Sequence, residues 1–169
     1  MTLLKRLLRR DRSEAAELYT AIVARGREPH WYVAGAVPDT LDGRFDMIAA
    51  ILSLVLLRLE KQPEAARLNT ALAERFVDDM DPQLRQIGIG DLVVGKHIGR
   101  MMSMLGGRLG AYRDGLAAGD IAGALQRNLY RGQQVAPEAL AHVRDTLMAL
   151  HAALEAASLE TLAAGGLPQ

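Results

Sequence analysis

Apolar residues return along most of the chain at intervals of three and four, and sustained alternation of apolar and polar positions is not found. That periodicity predicts helices. Leu3, Leu4, Leu7 and Leu8 give residues 3–12 a short basic amphipathic turn. Ser13 is placed to cap a helix over 14–26, with Glu14 and Glu17 near its positive end and Ala15, Leu18, Tyr19, Ile22 and Val23 as its apolar stripe. Residues 27–42, with Pro29, Gly35, Pro38 and the aromatic pair Trp31 and Tyr32, read as a loop. Asp42 is then placed to cap a helix over 43–60. Its positions Phe45, Ile48, Leu52, Val55 and Leu59 form one apolar face, and Ile51, Leu54 and Leu57 make the opposite face apolar as well. A helix that is apolar all round is surrounded by other elements.

Pro63 suits the first turn of the next helix, 63–79, which turns Leu68, Leu72 and Phe76 inward. Asp81-Pro82 reads as a cap and first residue, opening a short helix that stops near Gly88. Gly90-Asp91 starts the longest helix, 91–117, with Val94, Ile98, Met101, Leu105, Leu109, Tyr112 and Leu116 as its stripe. Asp120 caps a helix through Tyr130, and Pro137 opens the last one, 137–160, with Leu140, Val143, Leu147, Leu150 and Leu154 inward. No unit repeats at a fixed period, which disfavours a solenoid. The expected fold is all-α: a compact single-domain bundle of six to eight helices around a buried central one. The expected divisions are a basic N-terminal segment over 1–12, a helical domain over 13–162 and a flexible tail over 163–169.

Composition narrows the chemistry. The chain has 169 residues, ample for one proper core, and 20 basic residues balance 20 acidic ones. A chain basic overall, as many nucleic-acid binders are, is excluded, although a local basic patch is not. Cysteine is absent, which removes disulfides, thiol nucleophiles, iron–sulfur clusters and Cys-based zinc sites. The longest uncharged apolar stretch runs from Met47 to Leu57, well short of the ~20 residues of a membrane span. The basic start is not followed by the apolar run of a signal peptide, so the expected location is the cytoplasm.

Few residues suggest chemistry directly. Asp78, Asp79, Asp81 and Asp91 are clustered oxygen ligands of the kind Mg²⁺ or Ca²⁺ takes, but Asp81 and Asp91 also sit where helix caps belong. His97, His142 and His151 lack the spacing of a zinc ligand set and read as surface or boundary residues. Neither a nucleophile-elbow sequence nor a phosphate-binding loop occurs, and Gly106-Gly107-Arg108-Leu109-Gly110 falls inside a helix. Gly95, Gly99, Gly106 and Gly110 recur near one stripe of the long helix. Each costs about 1 kcal/mol relative to Ala, so the four imply close helix–helix approach. The approaching helix is either the internal 43–60 helix or one brought by a partner. Met101, Met102 and Met104 share that segment and suit either a core or an adaptable binding surface. Residues 96–131 carry six basic side chains, Lys96, Arg100, Arg108, Arg113, Arg127 and Arg131, against two acidic ones.

Several blocks are not anonymous. Asp42-Gly43-Arg44-Phe45-Asp46-Met47 precedes the apolar helix ending Leu56-Leu57-Arg58-Leu59. Phe76-Val77-Asp78-Asp79-Met80-Asp81 is followed by Leu84-Arg85-Gln86-Ile87-Gly88-Ile89-Gly90-Asp91-Leu92 and Lys96. Tyr112-Arg113-Asp114-Gly115-Leu116 and Leu125-Gln126-Arg127-Asn128-Leu129-Tyr130 complete the pattern. Together, over about 14–132, they resemble the ubiquinol–cytochrome c chaperone family. The chain departs from that family in having Met104-Leu105-Gly106 where a bulky aromatic stretch usually precedes Gly107-Arg108.

The resemblance implies a non-catalytic assembly chaperone that holds newly made cytochrome b, or a similar membrane client, during biogenesis of the ubiquinol–cytochrome c reductase complex. It implies a small partner protein and work near the ribosome or an anionic inner-membrane surface, with no cofactor and no metal. Lys96, Arg100, Met101, Met104 and Arg108 are the expected client-side residues. Asp42, Phe45, Asp79, Met80, Asp81, Arg85, Gly90 and Asp91 are the expected structural motif, with Asp81 and Asp91 as caps and Arg85 bridging to Asp91. Two other readings compete: a small metal-dependent enzyme built on the Asp78–Asp91 cluster, and a helical adaptor binding RNA or the ribosome through the Arg stripe.

Overall fold

A computed structural model describes residues 3–85 and 94–169, with side chains at 15–80, 99 and 101–169. The described residues form eight α-helices: α1 (Leu3–Gly26), α2 (Pro29–Val33), α3 (Leu41–Glu60), α4 (Ala66–Arg85), α5 (Val94–Ala117), α6 (Ala122–Asn128), α7 (Pro137–Ala156) and α8 (Leu159–Ala163). A single 3₁₀ turn, Pro63–Ala65, leads into α4. The expected all-α bundle is the observed one.

Helix α3 is the axis of the bundle and touches α1, α4, α5 and α7. Every residue from Asp46 to Leu59 is buried, as its all-round apolar pattern predicts. Its start is held by Thr40, whose hydroxyl accepts the Gly43 amide at 3.0 Å. Asp42, expected as that cap, lies in the first turn instead. Gly43 has no room for a side chain, since a Cβ there would lie 1.9 Å from the Pro38 carbonyl oxygen. Near the other end, the buried Arg58 sends its guanidinium to the carbonyl oxygens of Leu154 and Ala157, at 2.9 and 3.0 Å. Those carbonyls lie at the C-terminus of α7, where positive charge is favoured; the Leu154 oxygen also accepts the Ala157 amide at 3.2 Å.

Several boundaries differ from expectation. α1 runs unbroken from Leu3 to Gly26, so Ser13 lies inside it and the segments expected on either side are one helix. The supposed loop after α1 contains α2, whose Trp31 is fully buried and donates from Nε1 to the Arg25 carbonyl oxygen at 2.7 Å. α4 continues through Asp81-Pro82 to Arg85, so Asp81 opens no helix. A proline this near a helix end forfeits one backbone hydrogen bond without ending the run. The final helix breaks after Ala156, and Ser158 caps α8 by accepting the Thr161 amide at 3.1 Å. Asp120, expected as the cap of a helix through Tyr130, stands one residue before the actual cap, Ile121; it still accepts the Ala122 amide at 2.9 Å, and α6 ends at Asn128. Beyond α8 the chain lies along α1: Leu167 packs against the core, and Arg25 donates to the Pro168 carbonyl oxygen.

Two predictions follow from this packing. Gly43→Ala forces the α3 start away from Pro38, and thermal unfolding is expected to show a loss of about 1–3 kcal/mol, the usual scale of overpacking. The second concerns the four tyrosines. Burial pushes the Tyr130 phenol up to about 12, and Tyr19 and Tyr112 further still, while Tyr32 is raised as well. Because the folded values lie above the unfolded one near 10, the neutral phenols contribute stability that is complete below about pH 10 and lost as pH rises through the folded values. Phenolate absorbance is therefore expected to appear together with loss of the helical signal; a phenolate step at about pH 10 in the intact fold would contradict this.

Candidate functional site

Helix α5 divides sharply into two sides. Its inner stripe is Met101, Leu105 and Tyr112, all buried, with Leu109 and Leu116 packed partly against the core. The same stripe carries Arg108. Its Nη2 donates to Oδ1 of Asp46 at 2.6 Å, and its guanidinium lies 5.3 Å from the centre of the Phe45 ring. Asp46 sits in the middle of the bundle with a fully buried carboxylate. Its second oxygen accepts from Nε of Arg131 at 2.6 Å, and Arg131 also reaches Asp42 at 2.7 Å. These bonds hold the Arg131 proton more tightly than usual, the Asp46 bond first among them. Phe45 completes the assembly by stacking obliquely on Phe76 of α4, with centroids 5.3 Å apart. The cluster thus joins α3, α4, α5 and the segment after α6. Beside it, the buried Tyr112 hydroxyl and Arg108 Nε have no hydrogen-bond partner among the described residues.

The outer side of α5 is bare. A Cβ added at Gly99, Gly106, Gly107 or Gly110 would meet nothing within 4 Å. These glycines do not admit α3, so the internal packing offered as their explanation is overturned at these positions. Met102 and Met104 stand beside them, 43% and 37% exposed, among the few large apolar side chains that reach solvent. Helical spacing accounts for Met102: 101, 105, 108 and 112 face inward, so 102 and 106 fall outside, whereas Met104 lies at the other edge of the inward stripe.

The expected client-side residues are therefore divided by the structure. Met104 is accessible. Met101 is a core residue and Arg108 is tied to Asp46, so neither is free for a partner, and the reason is the same inward stripe. The side chains of Lys96 and Arg100 lie outside the described residues. Met102, part of the methionine segment but not of the expected client-side set, is exposed by the spacing that buries Met101.

The acidic cluster is dispersed by its own contacts. Asp79 accepts the Tyr19 hydroxyl at 2.8 Å, which ties α4 to α1. Asp78 points to solvent, and no group of three His, Asp or Glu converges as ligands would among the described residues. The side chains of Asp81 and Arg85, and all of Gly90 and Asp91, lie outside them. Met80 is buried and lines a small cavity of about 160 Å³ with Phe45, Ile48 and Asp79. Three members of the basic stripe are paired: Arg113 with Glu60 at 2.8 Å, and Arg108 and Arg131 with Asp46. A larger open groove of about 450 Å³ has Leu57, Leu116 and Ala117 as its floor.

Removing the charge of Asp46 leaves Arg108 half-buried in the bundle without its counter-ion. Asp46→Asn is expected to destabilise the fold by about 3–5 kcal/mol, the usual cost of breaking a buried pair by removing one partner. Chemical denaturation measures it, and a loss below about 1 kcal/mol would show that water takes over the carboxylate's role.

The comparisons agree with one another. The model of the ubiquinol–cytochrome C chaperone family matches residues 34–168. The crystal structure of the Cbp3 homolog from Brucella abortus superposes with a TM-score of 0.85 at 32% sequence identity, covering 98% of this chain and 93% of that one. No curated protein matches. A family match across most of the chain, and a fold shared from end to end with a Cbp3 homolog, leave one conclusion: this chain belongs to the ubiquinol–cytochrome c chaperone family.

Proposed function

We propose that this chaperone holds newly made cytochrome b, or a membrane protein like it, during assembly of the ubiquinol–cytochrome c reductase complex, and that the outer side of α5 is where the client rests. The observation that carries the proposal is the pairing of open glycines with exposed methionines. Glycine in a helix interior costs about 1 kcal/mol relative to Ala, and here no internal contact offsets it. A flattened helix surface lets another helix approach closely, as in membrane helix pairs. Met102 and Met104 add flexible, polarisable side chains that fit varied apolar surfaces.

The role is holding, without covalent chemistry. An unassembled membrane client exposes apolar helix surface, and covering it prevents aggregation until insertion or assembly. The basic first part of α1, with Lys5, Arg6, Arg9, Arg10 and Arg12 against Asp11, suits the surface of an anionic membrane. The proposed location is therefore the cytoplasm, peripheral to the inner membrane. A small assembly partner, as the family resemblance suggests, is a further expected contact. No helix of the described residues is long and apolar enough to cross a membrane itself.

A photo-crosslinker placed at Met102 during translation in the native cell is expected to trap cytochrome b, whereas one at Val33, 82% exposed on α2, is not. The double variant Gly106→Ala, Gly110→Ala should be more stable by about 1–2 kcal/mol in total yet capture less client. Equal trapping from both sites, or unchanged cytochrome b levels after gene deletion, would sink the proposal.

A further inference from the structure

Where α2 meets α7, three titratable side chains form a chain of hydrogen bonds that uses no residue of the proposed client surface. Nε2 of His30 lies 3.0 Å from Oε2 of Glu28, and Nδ1 of His30 lies 2.9 Å from Nε2 of His142. The two rings meet edge to face with centroids 5.2 Å apart. His30 lies in the first turn of α2 and His142 on α7, so the bond joins residues 112 apart in sequence. Beside it, the contact is tight: a Cβ on Gly35 would strike Val143 at 2.5 Å. The Tyr130 hydroxyl also donates to the Gly35 carbonyl oxygen at 2.6 Å.

Counting protons on this chain gives its behaviour. Glu28, 3.7 Å from Arg25, is an acceptor in its ordinary carboxylate form, so it accepts from Nε2–H of His30. With His30 neutral, its Nδ1 is a bare acceptor and Nε2–H of His142 donates to it. When His30 takes up a proton it becomes a donor at both nitrogens, to Glu28 and to a neutral His142. Each of these states keeps the bond. A second proton, on His142, sets two N–H groups head to head across 2.9 Å and places two cations in contact. No acceptor then remains between them.

We propose that Glu28, His30 and His142 form a proton-counting latch, which keeps α2 on α7 with no added proton or one and opens when both imidazoles are charged. Other charges face the pair from both sides. Arg25 approaches from the end of α1 through Glu28. Along α7, Glu138 and Asp145 lie within about one turn of His142, and Asp145 is bonded to Arg144 at 2.8 Å. Opening uncovers a built-in reporter. Trp31, the one tryptophan of the chain, is fully buried next to His30, with ring centroids 4.1 Å apart.

The test is acrylamide quenching of Trp31 fluorescence in the full chain from about pH 8 to about pH 5, the range in which imidazoles change charge. A charged imidazole dims a neighbouring indole by itself, so access to acrylamide rather than brightness is the readout. The quenching constant is expected to rise severalfold on acidification while the helical circular dichroism stays constant. His142→Gln should remove the rise, because a side-chain amide offers His30 either a donor or an acceptor. A constant that stays flat in the unmodified protein, or one that rises equally in His142→Gln, overturns the latch. Should that variant not fold, proton NMR of the unmodified protein decides. Two titration steps sensed by both His30 and His142 support the latch, and two independent single-step curves overturn it.

Discussion

Everything about this molecule that bears on its work hangs on one buried carboxylate. Asp46 lies in the apolar stretch of α3, out of reach of solvent, where an unpaired charge would cost several kcal/mol. Two guanidiniums converge on it, one from α5 and one from the segment after α6. Apolar stripes alone fix the register of two helices loosely, since one turn of sliding replaces one Leu or Met with another. A charged pair at 2.6 Å does not tolerate such sliding. Arg108 therefore sets where α5 lies along α3, and with it which residues of α5 face outward. Arginine suits this place better than lysine would, because its flat head bonds Asp46 while lying on Phe45. Arg131 holds its end of the cluster from a left-handed backbone conformation, φ 52°, that a residue with a side chain seldom adopts. Such a conformation persists only where the surroundings hold it, and here Asp42 and Asp46 both do.

With one side of α5 anchored so firmly, the other is free to be poor for folding. An ordinary surface helix would carry Ala, Glu, Lys or Gln there, all better helix formers than Gly. The chain has Gly99, Gly106, Gly107 and Gly110, whose weakness the inner anchor offsets. Rigidity and adaptability are thus separated within one helix: the clamp with Phe45 and Tyr112 on the inside, small residues and flexible thioethers outside.

How far the sequence disclosed this differs by kind of signal. Periodicity revealed the helices and the buried α3, because burial on all sides leaves only apolar residues to be read. It failed where local signals had more than one use. Asp81-Pro82 has the form of a helix start, yet it lies inside α4. Ser13 was a plausible cap that α1 simply passes through. Trp31 and Tyr32 looked like loop residues because Gly and Pro surround them; their hydrogen bonds to the Arg25 and Gly26 carbonyl oxygens instead close the end of α1. The ion cluster was the least visible part. Asp42 and Phe45 stood out as members of a motif, but no pattern in one dimension pairs Asp46 with residues 62 and 85 positions away. For the same reason the stripe of arginines read as a basic surface, whereas three of its members spend their charge on carboxylates of α3. The glycines suggested either an internal helix or one brought by a partner, and the structure removes the internal one at Gly99, Gly106, Gly107 and Gly110, since a small residue marks close approach without saying from which side.

The magnitudes limit how this surface can act. Burying the part of Met102 and Met104 that is still exposed, 43% and 37%, against a client would contribute roughly 1–2.5 kcal/mol together. Association costs an estimated 4–15 kcal/mol in lost freedom of the two molecules. Two methionines are therefore too few to hold a client alone. Close approach over the glycines must supply further dispersion contacts, and a membrane surface near the basic half of α1 would lower the cost by confining both partners to the same plane. On the proposed role, such an arrangement would bind firmly only where membrane, chaperone and unfinished client meet, and would let go once the client's own helices pack together and cover the surface shared with α5, with no energy-consuming step needed.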